Sequence, residues 1–390
     1  MRSGTNNRRI LIILLVFWCT VATAQDSVPA ISYTVRGYVK DLVTINLYQP
    51  GVNIPVDNLI HNRFNFKAYY KKSFKGVLEV RNRLFVGNTV KANPQLAAFV
   101  DDEWPNQLDM SATWDHHPDW VAQCRIDRLY LNWEKGKIEV TAGRQRINWG
   151  MALAWNPNDI FNAYSFFDFD YEERPGSDAI RAQYYLGQVS RIEVAARPGT
   201  KGRGSTAAGL WRTNRWGYDF QALAGISEHH VVWGGAWAGN IKTSGFKGEF
   251  SFFYPFTAAD GKFTSVVTIM GDLTLKNGLY LAGGALYQST GTAKFNNQNL
   301  LAYQVSARSL SPFRLTTMVQ AMVTFHPLVS GGLSLMYAPT GHVFFFNPTV
   351  SWSMRPNLDL SLVGQTVYYN PGDQFHKGAK YLFVRVKYSF

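Results

Sequence analysis

The side chains with chemical potential in this chain are arginines and carboxylates, and they fall into two sets with different spacing. One set stands in extended runs at alternating positions: Arg81, Arg83, Arg128, Arg181, Arg191 and Arg197. The other crowds into a single interval after the run Gly143-Arg144-Gln145-Arg146-Ile147-Asn148-Trp149-Gly150, as Asp159, Asp168, Asp170, Glu172, Glu173 and Arg174. Basic and acidic sets facing each other across a narrow water-filled space create a transverse field that orients and filters ions, and charged rings are a common selectivity device. The same charges could simply pair and pin the interval to a neighbouring wall. Both readings stay open at this level.

Other chemistries find little support. Asp101, Asp102, Glu103, Asp109 and Asp115 precede His116 and His117, yet no EF-hand spacing and no His-x-x-x-His pair accompanies them. A solvated loop is the better reading, and no metal or other cofactor is expected. There is no Gly-x-Ser-x-Gly nucleophile run, so an enzyme is not expected. Gly234-Gly235 and Gly283-Gly284 interrupt strand-like runs instead of opening helices, so no phosphate cradle forms. The basic residues alternate through strands and make no aromatic-basic patch for nucleic acid.

The elements that must position these side chains have a period of two. In 62–71, Arg63, Asn65, Lys67, Tyr69 and Lys71 share one face and Phe64, Phe66, Ala68 and Tyr70 the other, because successive strand side chains point to opposite faces. The alternation recurs in 77–87, 190–197 and 246–254, where Lys247, Glu249 and Ser251 oppose Phe246, Phe250, Phe252 and Tyr254. Around the charged interval, strands are expected over 125–134, 137–149 and 178–187, with a tight turn at Lys135-Gly136 and a loop over 150–177. That loop is too apolar to lie loose in water and too polar to face lipid. Folding into the lumen of a barrel, and narrowing it, would satisfy both halves.

A soluble sandwich would show the same alternation with its charges outside. Long strands, charged faces of both signs in nearly every strand, and aromatics gathered near strand ends favour a transmembrane β-barrel instead. Beyond the N-terminus no stretch is apolar for long enough to form a spanning helix. Short turns are expected at 72–75, 134–137, 187–189, 215–218, 241–245, 276–278, 326–331 and 354–357. Longer loops fall at 89–124, 150–177, 198–205, 255–262, 290–312, 338–343 and 370–378. Counting 290–312 as a loop keeps the strand number even, at about 18 in an up-and-down antiparallel barrel. Short turns then face the periplasm and long loops the outside.

The first 24 residues read as a cleaved secretory signal: Arg2, Arg8 and Arg9, an apolar run over 10–21, and Ala22-Thr23-Ala24 before Gln25. A run of ~12 apolar residues is short of the ~20 that a membrane helix needs. The remainder, 25–390, keeps 36 Lys and Arg against 27 Asp and Glu, a formal charge of +9. Cys124 is its one cysteine, so it forms no internal disulfide. Export without disulfides fits a bacterial envelope. The chain closes on a strand over 380–390 with Leu382, Val384, Val386, Tyr388 and Phe390 on one face. Tyr388 and the terminal Phe390 resemble the signal read by the bacterial barrel-assembly machinery.

A family resemblance enters at 144–178. The run Gly143 to Gly150, then Trp155-Asn156-Pro157-Asn158-Asp159 and the stretch from Asp170 to Asp178, resembles porin-like outer-membrane barrels, among them the alginate-export-like ones. The resemblance implies a barrel with an in-folded loop and a charged constriction. On parity alone, Arg144 and Arg146 would follow Ile138, Val140 and Ala142 toward lipid, at ~2–4 kcal/mol each near the midplane. A bulge at Gly143 would turn both inward; alternatively both lie above the bilayer at the outer rim. The expected function is passive diffusion of small polar or anionic solutes through the outer membrane. The alternative is a blocked barrel whose loops bind a surface polysaccharide or a partner protein.

Overall fold

The computed structural model describes residues 31–47, 54–101, 106–164, 174, 176–200, 204–292, 303, 305–370 and 376–390. Alternating sequence produces strands throughout: β1 (Ile31–Asn46), β2 (Val56–Tyr70), β3 (Phe74–Gly87), β4 (Ser111–His117), β5 (Trp120–Lys135), β6 (Ile138–Gln145), β7 (Ser177–Tyr185), β8 (Arg191–Arg197), β9 (Thr206–Arg215) and β10 (Tyr218–Ser227). They continue as β11 (His230–Ile241), β12 (Ser244–Pro255), β13 (Thr264–Thr274), β14 (Tyr280–Gln288), β15 (Leu315–His326), β16 (Val329–Ala338), β17 (Val343–Arg355), β18 (Leu358–Tyr369) and β19 (His376–Ser389). Two short helices, α1 (Asn88–Ala92) and α2 (Leu96–Asp101), follow β3.

Every wall strand pairs antiparallel with its neighbours, and β19 pairs back onto β1, so the sheet closes. Closure leaves no open edge, which a membrane-spanning sheet requires because lipid offers no hydrogen bonds. Eighteen strands make the wall. The nineteenth, β4, is a short piece of the β3–β5 connection: it pairs with β5 at Arg125 to Trp120, above the point where β6 stops. The strand number expected from parity is therefore the one found.

The side-chain pattern is inverted relative to a soluble protein. Phe64 and Phe66 are 45% and 39% exposed on the outer face, whereas Arg63 and Glu249 are fully buried on the inner one. Outer positions meet lipid, and inner ones meet other polar groups. The two-sheet sandwich is thereby set aside.

The eight short turns lie at one end and the longer connections at the other, where the two-residue turn Glu228-His229 between β10 and β11 is an exception to the expected alternation of lengths. The β5–β6 turn is Gly136-Lys137, one residue later than expected, with Gly136 at φ +61 in a two-residue hairpin. The described residues of the segment 290–312 contribute no wall strand. They carry an isolated bridge between Ser306 and Ser309, and Leu310, with the adjoining Phe313, is buried against the inner wall. In-folding is thus shared by more than the one loop expected, since α1 and α2 also pack inward, through Val90 and Ala97 onto Val121.

Candidate functional site

The wall changes character where β6 ends at Gln145, four residues before the expected end of that strand. Gly143 has φ +116, and a Cβ there would stand 2.3 Å from the Leu129 carbonyl oxygen, so only glycine fits. No register shift accompanies it: β6 pairs without interruption with both β5 and β7. The expected bulge sits instead on β5, where Asp127 is the extra residue between Glu79↔Arg128 and Val80↔Ile126. Both Asp127 and Arg128 are consequently turned inward and buried.

Arg144 is not carried inward by a bulge at Gly143. It is 2% exposed and sits in the seam of the wall, between the end of β6 and the start of β4. Its Nε donates to Asp178 Oδ1 at 2.8 Å and its Nη1 to the Ile126 carbonyl at 3.0 Å, while Nη2 reaches the Leu108 carbonyl. Asp178 in turn accepts the Leu108 N–H at 2.8 Å. The guanidinium fills the break in the hydrogen-bond ladder, which is how an outward-parity arginine avoids lipid. Arg146 lies beyond the strand end and is exposed.

From there the chain runs along the inner wall. Alternate residues Ile147 and Trp149 are buried, while Arg146 and Asn148 are exposed. Trp149, Trp155, Ile160 and Phe161 belong to the large apolar cluster lining β7 to β18, with the Trp149 and Phe161 rings 5.0 Å apart edge to face. Polar anchors come from inward positions of three strands. On β8, Glu193 accepts the Trp149 indole N–H at 2.5 Å. On β10, Gln221 donates to the Trp149 carbonyl at 2.6 Å. On β12, the buried Glu249 accepts the backbone N–H groups of Met151, of Ala152 at 2.5 Å and of Asn158 at 3.3 Å. Ser251 adds a bond to Asn158 Oδ1 at 2.7 Å.

On the return, the Ile147 N–H donates to Asn162 Oδ1 and Asn162 Nδ2 to Ser177 Oγ, at 3.0 and 3.1 Å. Arg174 lies across this turn. Its guanidinium stacks 3.3 Å from the Tyr164 ring centroid and reaches Asn148 Oδ1 at 3.3 Å and Asp159 Oδ2 at 3.4 Å. Asp159 is 1% exposed. Burial pushes its carboxyl up to about 7, against the pull of Arg174, the Trp149 N–H and Arg146. Desolvation wins because the ion pair is long and the carboxyl is almost fully buried.

The remaining basic residues divide between two walls. Arg181 reaches Glu139 at 3.5 Å and Glu193 at 3.9 Å, and Arg191 reaches Glu193 at 3.5 Å. Arg197 donates to Thr206 Oγ1 at 3.0 Å near the loop end of the wall. On the other side, Arg63 bridges Glu79 at 2.7 Å and Asp127 at 2.5 Å, and Arg81 shares Asp127 at 3.1 Å. Arg83 bonds Gln123 at 2.6 Å. Arg128 donates to the carbonyls of Asp127 and Arg174, tying β5 to the return of the loop. Register places Lys387, Lys40, His61 and Arg83 side by side, and Arg63, Arg81 and Arg125 likewise. This inner face from β19 through β5 is a band of lysines and arginines interrupted by His61, Glu79 and Asp127.

Of the expected site residues, the structure brings Arg146, Asp159 and Arg174 together and places Arg81, Arg83, Arg128, Arg181 and Arg191 on the inner wall. Asp168, Asp170, Glu172 and Glu173 lie outside the described residues. The anchors Glu193, Gln221 and Glu249 were not singled out, although their inward parity was legible. Among the described residues no group of three or more His, Cys, Asp or Glu is placed to hold a metal. Asp101 instead accepts Thr113 Oγ1 at 2.7 Å, and Asp109 accepts Ser111 Oγ at 2.8 Å, steadying the start of β4.

An 18-stranded closed barrel with outward aromatics and inward charge, partly filled by its own loops, is the architecture of outer-membrane porins. Solved structures with the same fold include Acinetobacter baumannii OccAB4, at TM-score 0.58 and 9% identity, covering 92% of this chain and 98% of that one. Pseudomonas aeruginosa OccK11 (OpdR) aligns at TM-score 0.58 and 8% identity over 92% of this chain and 96% of that one. P. aeruginosa OpdK, crystallised with vanillate, aligns at 0.58 and 8% over 92% and 98%. No protein-family profile and no curated protein matches the sequence.

Proposed function

We propose that the chain is a passive outer-membrane channel for small hydrophilic solutes, narrowed by the segment joining β6 to β7 and selective for anions. One observation carries the reading: that segment is held against the inner wall by Glu193, Gln221 and Glu249, leaving Arg146 and Arg174 on its water side and a cationic band in the wall from β19 to β5. Guanidinium and ammonium groups lining a low-dielectric passage raise the local concentration of anions. The vanillate in OpdK is a carboxylate, which agrees with such a passage. The constriction residues are Arg146, Asp159 and Arg174 with the inner-wall arginines 81, 83, 128, 181 and 191. Asp168, Asp170, Glu172 and Glu173 would complete it on the loop.

Export would use the signal at 1–24, and β19 would be read by the assembly machinery through Tyr388 and Phe390. In support, β19 is the closing strand: the Gly37 and Phe390 backbones exchange hydrogen bonds at 2.8 and 2.9 Å. The alginate-export-like likeness rests on the run 143–178 and its in-folded loop. Planar-bilayer recording of the refolded chain tests the function. Expected are ohmic steps, a reversal potential in a salt gradient that reports anion preference, and larger steps after deletion of 160–172. Unchanged conductance in a folded deletion would refute the constriction. The in-folding of α1, α2 and the 305–313 region favours one competing reading, a blocked barrel that binds a surface partner, and electrical silence would support it.

A further inference from the structure

The turn end of the barrel carries a charge bias that the channel reading does not use. Six of its eight turns expose a basic side chain: Lys72, Lys137, Arg215, Lys242, Lys276 and Arg355. The exposed carboxylates on these turns are Glu134 and Asp219. The loop end is mixed: among the described residues, Asp101 and Asp109 are exposed there alongside Lys91, Lys262 and Arg314.

Two features show that this bias is built into the turns. Lys71 and Lys242 have φ +53 and +56, the left-handed region where glycine and asparagine are the easy residues. Lysine at such positions is a conformational cost, and both side chains are exposed. Cations and exposed rings also stand side by side at the strand ends. The Lys71 ammonium lies 5.2 Å from the Tyr70 ring centroid, and the Arg215 guanidinium 4.8 Å from that of Trp216, which is 81% exposed. Aromatic rings on the outer face mark the membrane–water boundary. Cations at the level of these rings or one step past them, on stems that snorkel, lie at headgroup depth.

We propose that this turn face docks on anionic phospholipid headgroups, seating the barrel in the phospholipid leaflet on that side. Headgroup phosphates that carry net negative charge fit the geometry. They are spread in a plane, as the cations are, and attraction of basic residues to an anionic leaflet acts within a screening length of the surface. The claim is independent of conduction, since the residues lie outside the lumen.

The test compares the full chain with the variant Lys71→Asn/Lys72→Asn/Lys242→Asn/Lys276→Asn, both refolded into phosphatidylcholine vesicles containing a minority of spin-labelled phosphatidylglycerol. Asparagine keeps the left-handed backbone, and a heat-modifiable gel shift confirms that both barrels close. The wild type is expected to enrich phosphatidylglycerol in its boundary shell at least about threefold over phosphatidylcholine, an enrichment lost at high salt. The variant should fall to parity while its single-channel conductance stays unchanged. A wild type at parity, or a variant that keeps the enrichment, overturns the proposal. So does a variant that loses retention of an acidic soluble protein while keeping its lipid preference, since a protein partner would then own the surface.

Discussion

Replacing Glu249 with alanine is the sharpest test of how the loop is held. The carboxylate is fully buried on β12 and accepts the backbone N–H groups of Met151, Ala152 and Asn158. A buried donor left without an acceptor costs ~1–3 kcal/mol, so three of them total roughly 3–9 kcal/mol if the segment stays in place. It will not stay once undocking is cheaper. Detaching 151–158 exposes Trp155 and Ala154, and burying one large apolar side chain is worth ~1.5–3 kcal/mol. The penalty of the substitution therefore exceeds the apolar grip on this stretch, and the stretch should open while Ile147, Trp149 and Phe161 keep the two ends docked. At ~1.4 kcal/mol per tenfold, easing of opening by about 3 kcal/mol means that hydrogen exchange at 151–158 accelerates by about 100-fold. Open-channel current noise should rise in parallel, with barrel melting unchanged. Glu249→Gln keeps one acceptor oxygen and should fall between the two. Unaltered protection at 151–158 in Glu249→Ala would refute this account of the anchor.

Further outcomes follow from the same geometry. Arg144→Met leaves Asp178 buried without its partner and removes the donors that fill the seam; a loss of ~3–5 kcal/mol in barrel stability is expected from urea unfolding, and a change under 1 kcal/mol would contradict the role given to Arg144. Asp159 titrates in the docked loop at about 7, above its ordinary 3.8, so its contribution to docking is complete below that ordinary value and is lost as pH rises through about 7. Protection of 147–162, corrected for intrinsic exchange, should fall across this window, and the fall should be smaller in Asp159→Asn. Arg146→Glu should shift the reversal potential toward cations without changing the melting of the barrel, and an unmoved potential would place Arg146 off the ion path.

Much of the architecture was written in the alternation itself. Phe64 and Phe66 against Arg63 and Asn65 define two faces whatever the strand pairs with, because the pleat has a period of two. Turn lengths then supply the strand parity and the two ends. Even the closing strand was visible, since outward Val386, Tyr388 and Phe390 need lipid on one side and Arg385 and Lys387 need water on the other.

What period and parity could not supply is where the pattern is broken. Arg144 reads as lipid-facing on parity, as luminal with a bulge, or as lying at the outer rim; parity does not show that its guanidinium meets the Ile126 and Leu108 carbonyls and Asp178 within the wall. The bulge fell on Asp127, which no local signal marks. Glu193, Gln221 and Glu249 lie far from the loop in sequence and became its anchors through closure of the sheet, which brings β8, β10 and β12 alongside 147–158. Local alternation fixes which way a side chain points; the partner it meets depends on the curvature and shear of the closed wall, and only the folded barrel sets those.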